Sequence, residues 1–188
     1  MIRLLAFVAF IWAGAVTAQE LPALYDVSGV RSDDLLNIRM APDSASDIIG
    51  TLAHTAFDIE VVARDASGSW GLVNAGEVAG WVSMYYMSIS AAQPWWEMTQ
   101  PLYCFGTEPF WDVKLTPRAW STFNYFTDAI GPMTPIWESG AWGSPRRMIL
   151  NHHIPNGEIT SYIEAEACND GMSDRAFGLS LQMFIQSD

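Results

Sequence analysis

Leu36-Asn37-Ile38-Arg39-Met40-Ala41-Pro42, then Ile48-Ile49-Gly50-Thr51-Leu52, then Gly80-Trp81-Val82-Ser83 with Tyr85-Tyr86, decide how this chain reads. In the first block Leu36, Ile38 and Met40 alternate with Asn37 and Arg39. That is the period of a strand with one buried face, and Pro42 ends it because proline has no N–H to give a ladder. Asp43-Ser44-Ala45-Ser46-Asp47 is a turn cluster. Further short runs rich in β-branched and aromatic residues lie at 48–52, 59–64, 70–73 and 79–83, after an opening run at 25–27. Asp65-Ala66-Ser67-Gly68 and Asn74-Ala75-Gly76-Glu77 suit hairpin loops. Short strands at this spacing predict a small antiparallel barrel.

Upstream, Arg3 supplies a positive start, residues 4–16 form an apolar run, and Val16-Thr17-Ala18 sets small residues before a cut ahead of Gln19. The run is shorter than the roughly 20 residues a bilayer span needs, so residues 1–18 read as a cleaved export signal. Cleavage would leave 170 of the 188 residues and move the formal charge from −12 to −13 by removing Arg3. So acidic a chain repels nucleic acid and anionic membrane surfaces, which excludes both as primary partners. Two small domains fit the length: 19–88, a linker at 89–100, and 101–188.

The two cysteines, Cys104 and Cys168, would meet an oxidising compartment, where an even count favours a disulfide. Closing that loop would restrict the unfolded chain by about 4 kcal/mol in the entropic account. A metal site would need more ligands than two thiols, and a nucleophilic cysteine would need a base that no motif supplies.

The blocks at 36–42, 49–52, 59–62, 70–73 and 80–82, with Tyr86, resemble a bacterial SH3 (SH3b) domain over roughly residues 23–88. One turn departs from the family pattern: where a glycine usually follows, this chain reads Ala53-His54-Thr55-Ala56-Phe57. The resemblance implies a non-catalytic module of cell-envelope proteins that holds wall peptides or other proteins.

In the second half, strands are expected at 103–105, 110–115, 119–126, 146–150, 159–165 and 179–185. In the last of these Leu179, Leu181, Met183 and Ile185 alternate with polar residues. Asn156-Gly157 and Asp170-Gly171 mark turns. The expectation is an antiparallel β-sandwich or barrel closed by the disulfide, so the whole chain is all-β. Cys104-Phe105-Gly106-Thr107-Glu108-Pro109-Phe110-Trp111 and Cys168-Asn169-Asp170-Gly171-Met172-Ser173-Asp174-Arg175 resemble the two marker blocks of an uncharacterised bacterial envelope family. That likeness implies an envelope location and no particular activity.

Several residues are candidates for chemistry or binding. Glu108, Asp170 and Asp174, with Ser173 and Arg175, lie in the two marker blocks; paired carboxylates there would serve as acid and base, or Asp170 and Asp174 would simply cap a tight loop. His152-His153 point to opposite faces of a strand and so make a poor metal pair, and no cofactor motif is present. Trp70 and Trp81 fall among aliphatic positions and read as core. Tyr85 and Tyr86 at a strand end send one ring inward and one outward, and one of them, with Arg39 or Asp43, would line a peptide groove or simply pack on the surface. Trp95-Trp96 in the linker either dock the two domains or form an exposed stacking platform. The reading is an exported, soluble, non-catalytic binding protein for a cell-wall peptide or envelope protein. A carboxylate-based envelope hydrolase at Glu108 and Asp170 and a structural or stress scaffold are the alternatives.

Overall fold

A computed structural model describes residues 20–92, 94–141 and 144–187, and the side chains of these apart from 139–145. The expected export segment at 1–18 lies outside the described residues. The chain is all-β, as its alternating pattern predicts.

The first half comprises β1 (Ala23–Val27), β2 (Leu35–Arg39), β3 (Ile48–Ala53), β4 (Ile59–Val61), β5 (Ala63–Arg64), β6 (Trp70–Ala75), β7 (Val78–Ser83) and β8 (Met87–Ile89). A 3₁₀ turn, Met84–Tyr86, joins the last two. The strands form a β3-β2-β7-β6-β5 sheet and a β4-β1-β8 sheet around one core. Tyr25, Val27, Leu36, Ile38, Val61, Val73, Val82 and Met87 fill it.

The register corrects three details. The expected run at 59–64 splits at Val62 into β4 and β5, which join different sheets. A bulge at Ile38/Arg39 ends the alternation of β2, so Met40 is 62% exposed rather than inward. Trp70 and Trp81 are half-buried and outside the core, because the inward positions of their strands belong to Gly71, Val73, Gly80 and Val82. A Cβ at Gly80 would meet Ile38 and Ile49, so this face has room only for small residues there.

The second half is a seven-stranded antiparallel meander: β9 (Leu102–Thr107), β10 (Phe110–Leu115), β11 (Ser121–Tyr125), β12 (Asp128–Ala141), β13 (Ser144–Ile154), β14 (Gly157–Cys168) and β15 (Phe177–Ser187). It curls into a nearly closed barrel, which resolves the choice between sandwich and barrel. Val113, Leu115, Phe123, Met133, Leu150, Ile159 and Ile163 fill the interior. The sequence pattern omits β12 entirely.

Each strand pairs with its neighbour in the chain, but β9 and β15 are both sheet edges. Across that seam Phe105 of β9 stacks edge-on against Phe177 of β15, with ring centroids 5.3 Å apart. The disulfide expected to close this domain is not formed in the structure, where Cys104 and Cys168 are free thiols. Cys168 follows a register shift in β14, and its thiol donates instead to the Leu179 carbonyl at 3.4 Å.

Candidate functional site

The marker block ending β14 docks the two halves, a role its sequence did not reveal. Asp174 pairs its backbone with the β6–β7 hairpin: its N–H donates to the Glu77 carbonyl at 3.0 Å, and its carbonyl accepts from Ala79 N–H at 2.8 Å. Asn74 adds a two-way clasp, its amide donating to the Ala176 carbonyl at 2.9 Å and accepting from Ala176 N–H at 3.0 Å. A further contact sets Gly178 against Pro22 so tightly that a Cβ would collide with the proline ring. The backbone of Asp174 makes this junction.

Asp170 is occupied locally. Its carboxylate accepts N–H bonds from Met172 at 3.0 Å and Ser173 at 2.8 Å, plus the Ser173 hydroxyl. Those donors, Ser173 N–H foremost, hold its pKa below the usual carboxylate value, so the group favours the ionised form. Thr107, next to Glu108, donates its hydroxyl to the Asp170 carbonyl, which brings the two marker blocks together. Asp170 thus has the geometry of a loop cap.

Tyr85 and Tyr86 sit on the 3₁₀ turn with ring centroids 4.9 Å apart and planes at 87°. Tyr85 is 85% exposed, and Tyr86 is at 36%, so neither ring enters the core as the alternation had suggested. The turn between β7 and β8 replaces the strand geometry that would have split them. Its backbone is held by Met84 N–H to the Ser69 carbonyl at 2.8 Å and by Ser28 N–H to the Tyr86 carbonyl at 2.9 Å. Arg39 lies opposite Trp81 and donates to the Ser46 carbonyl at 2.6 Å. It makes no hydrogen bond to either tyrosine among the described residues. Asp43 caps its own turn through Ala45 N–H at 2.9 Å.

Trp95 and Trp96 lie on a second 3₁₀ turn, Trp95–Glu97, T-stacked at 5.9 Å and packed against the second barrel's core beside buried Met98. They are half-buried, so the docked alternative fits them better than an open platform. One side of this pair lines a cavity of about 440 Å³ between the halves. A second cavity, of about 340 Å³, runs along the β9/β15 seam and includes both cysteines.

Burial pushes the Cys104 thiol up to about 11, with Cys168 and Glu60 adding to the rise. Burial also raises Cys168, followed by Glu166 and Glu60. Both are therefore protonated thiols at neutral pH and poor nucleophiles.

Sequence reading missed Glu60, which lies in β4 directly across from Leu24 of β1 and lines both cavities. Loss of solvent raises its pKa, opposed by the neighbouring Gly178 backbone and by Arg175 at longer range. The described ion pairs, Arg31–Asp33 and Arg147–Glu164, leave Glu60 with no base within 4.0 Å among the described residues. A charged residue inside an otherwise apolar strand was the available signal.

His152 and His153 face opposite sides of β13, as their adjacency requires. His152 is buried, its Nε2 3.4 Å from Ser121 Oγ and its Nδ1 without a partner among the described residues, whereas His153 is exposed. No group of three or more His, Cys, Asp or Glu residues is arranged to hold a metal among the described residues.

No protein-family model, curated protein or solved structure matches this chain.

Proposed function

We propose that the chain is an exported, non-catalytic binding protein of the bacterial cell envelope, whose SH3b-like first half holds a wall peptide or protein partner on the Tyr85–Tyr86 face. The observation that carries this reading is the exposed, edge-stacked tyrosine pair on a backbone pinned from two sides. Aromatic rings fixed in place bind with little loss of side-chain freedom, and each hydroxyl stays available for a polar contact. The engaged carboxylate of Asp170 favours binding over catalysis.

Binding of the full chain to purified wall sacculi and to soluble wall peptides tests it. Replacing Tyr85→Ala should weaken that binding by about tenfold, or roughly 1.4 kcal/mol. Undiminished binding overturns the assignment of the face. Turnover of wall fragments by the native chain, abolished by Glu108→Gln with Asp170→Asn, overturns the non-catalytic part.

Export would also join the cysteines that share the seam cavity. Each thiol loses a proton, the S–S bond forms, and two electrons pass to a disulfide-bearing oxidant that leaves as its dithiol. Intact mass after alkylation of the exported protein reads the outcome: two unalkylated sulfurs support the bridge, and two alkylated ones refute it.

A further inference from the structure

The cavities of about 440 and 340 Å³ meet where Glu60, Leu102, Tyr103 and Leu179 line both. The larger has the size of a small-molecule site and walls that are mainly apolar, including Leu24, Ile89, Trp95 and Trp96. Every charged residue on the two linings is acidic: Glu20, Glu60 and Asp170. Glu20 is exposed, and Asp170 spends its carboxylate on its own loop. Glu60 is left as the acid at the junction, on the same sheet face as Leu24.

We propose that this cleft binds a small amphipathic amine, a primary ammonium on an unbranched apolar chain, with the nitrogen at Glu60 and the chain along Leu24, Ile89, Leu102 and the two tryptophans. A half-buried carboxylate with no base within 4.0 Å among the described residues is disfavoured, and an arriving ammonium offsets that cost with a charge-assisted hydrogen bond. The chain's formal charge of −12 adds to the attraction of a cation. A neutral alcohol of equal length would keep the apolar contacts and lose the ionic one. A fatty acid would meet like charge. The site shares no residue with the Tyr85–Tyr86 face, so it stands apart from the function proposed above.

Calorimetric titration of the full chain with octylamine, octanol and octanoate tests the proposal. Octylamine should bind at least about tenfold tighter than octanol, a difference of about 1.4 kcal/mol, and octanoate more weakly than either. Glu60→Gln should bring octylamine down to the level of octanol, and Leu24→Trp should exclude both by filling the cleft. Gly178, whose backbone lies beside the Glu60 carboxylate, gives a readout that needs no variant: its amide resonance should move with octylamine and not with octanol. Equal affinity for amine and alcohol, an amine preference that survives Glu60→Gln, binding unaffected by Leu24→Trp, or a Gly178 resonance indifferent to octylamine would each overturn it.

Discussion

The two flanks of the second barrel solve the same problem in different ways. On the β13–β14–β15 flank, β14 is hydrogen-bonded along both edges, and Ile159, Ser161, Ile163 and Ala165 point inward at every second residue. On the opposite flank β9 and β15 come side by side without forming a ladder. There the gap is bridged by the Phe105–Phe177 contact and covered by the first half through Pro22 and Glu60. A meander specifies each local pairing through its turns, whereas closing the first strand onto the last needs a separate device. In this chain that device is the docking of the neighbouring half, and the incompletely sealed seam is what leaves a cleft.

The largest expected effect tests that contrast directly. Ile163 is wholly buried on the paired flank, while Leu179 is half-buried at the seam. Ile163→Ala should cost about 3–4 kcal/mol and Leu179→Ala about 1–2 kcal/mol, because a cavity at the seam is already open to solvent. Urea denaturation of both variants measures the difference. Equal losses would mean the seam is packed as tightly as the closed flank. Next in size is the docking clasp: Asn74→Ala removes both bonds to the Ala176 backbone and should cost about 1–3 kcal/mol. Calorimetry should show one unfolding transition for the native chain and two for the variant as the halves uncouple.

The same contrast explains what the sequence disclosed. The short strands of the first half and the inward face of β14 follow period-two alternation with glycine-marked turns, so their positions were readable, though not the break at Val62 or the bulge that turns Met40 outward. Strand β12 was not, because Gly131, Pro132, Pro135 and Gly140 interrupt it and proline normally argues against a strand paired on both sides. The structure accommodates it with a register shift between Pro135 and Trp137. At the sites, the exposed tyrosine at 85 and the loop-capping use of Asp170 could be read from local chemistry. The docking role of Asp174 and the position of Glu60 depend on contacts between the halves, which local alternation does not encode.

Two ionisable groups carry smaller effects of opposite sign, one in each half. His152 lies in the second barrel's interior, where burial lowers its pKa against a weaker opposing influence from Glu138. Its folded value therefore lies below the unfolded value of about 6.5, so its contribution is fully present above that pH and is lost as pH falls below it. The urea midpoint should drop between pH 7 and pH 5, and the drop should shrink in His152→Met, which cannot take up the proton.

Glu60 gives the smallest expected effect and runs the other way. Desolvation raises its folded pKa above the ordinary value of a glutamate. Folding therefore favours the protonated form: that contribution is complete below the unfolded pKa and is lost as pH rises through the folded one. At pH 7 the native chain keeps a charge that its surroundings disfavour, so Glu60→Gln should be slightly more stable there and should lose that advantage on acidification. Denaturation of native and variant chains at pH 7 and pH 4 separates this from His152, since the two substitutions must change the pH slope in opposite directions. A Glu60→Gln variant less stable than the native chain at pH 7 would show that the Gly178 backbone and the field of Arg175 outweigh the loss of water, and that the seam is held by its charge rather than strained by it.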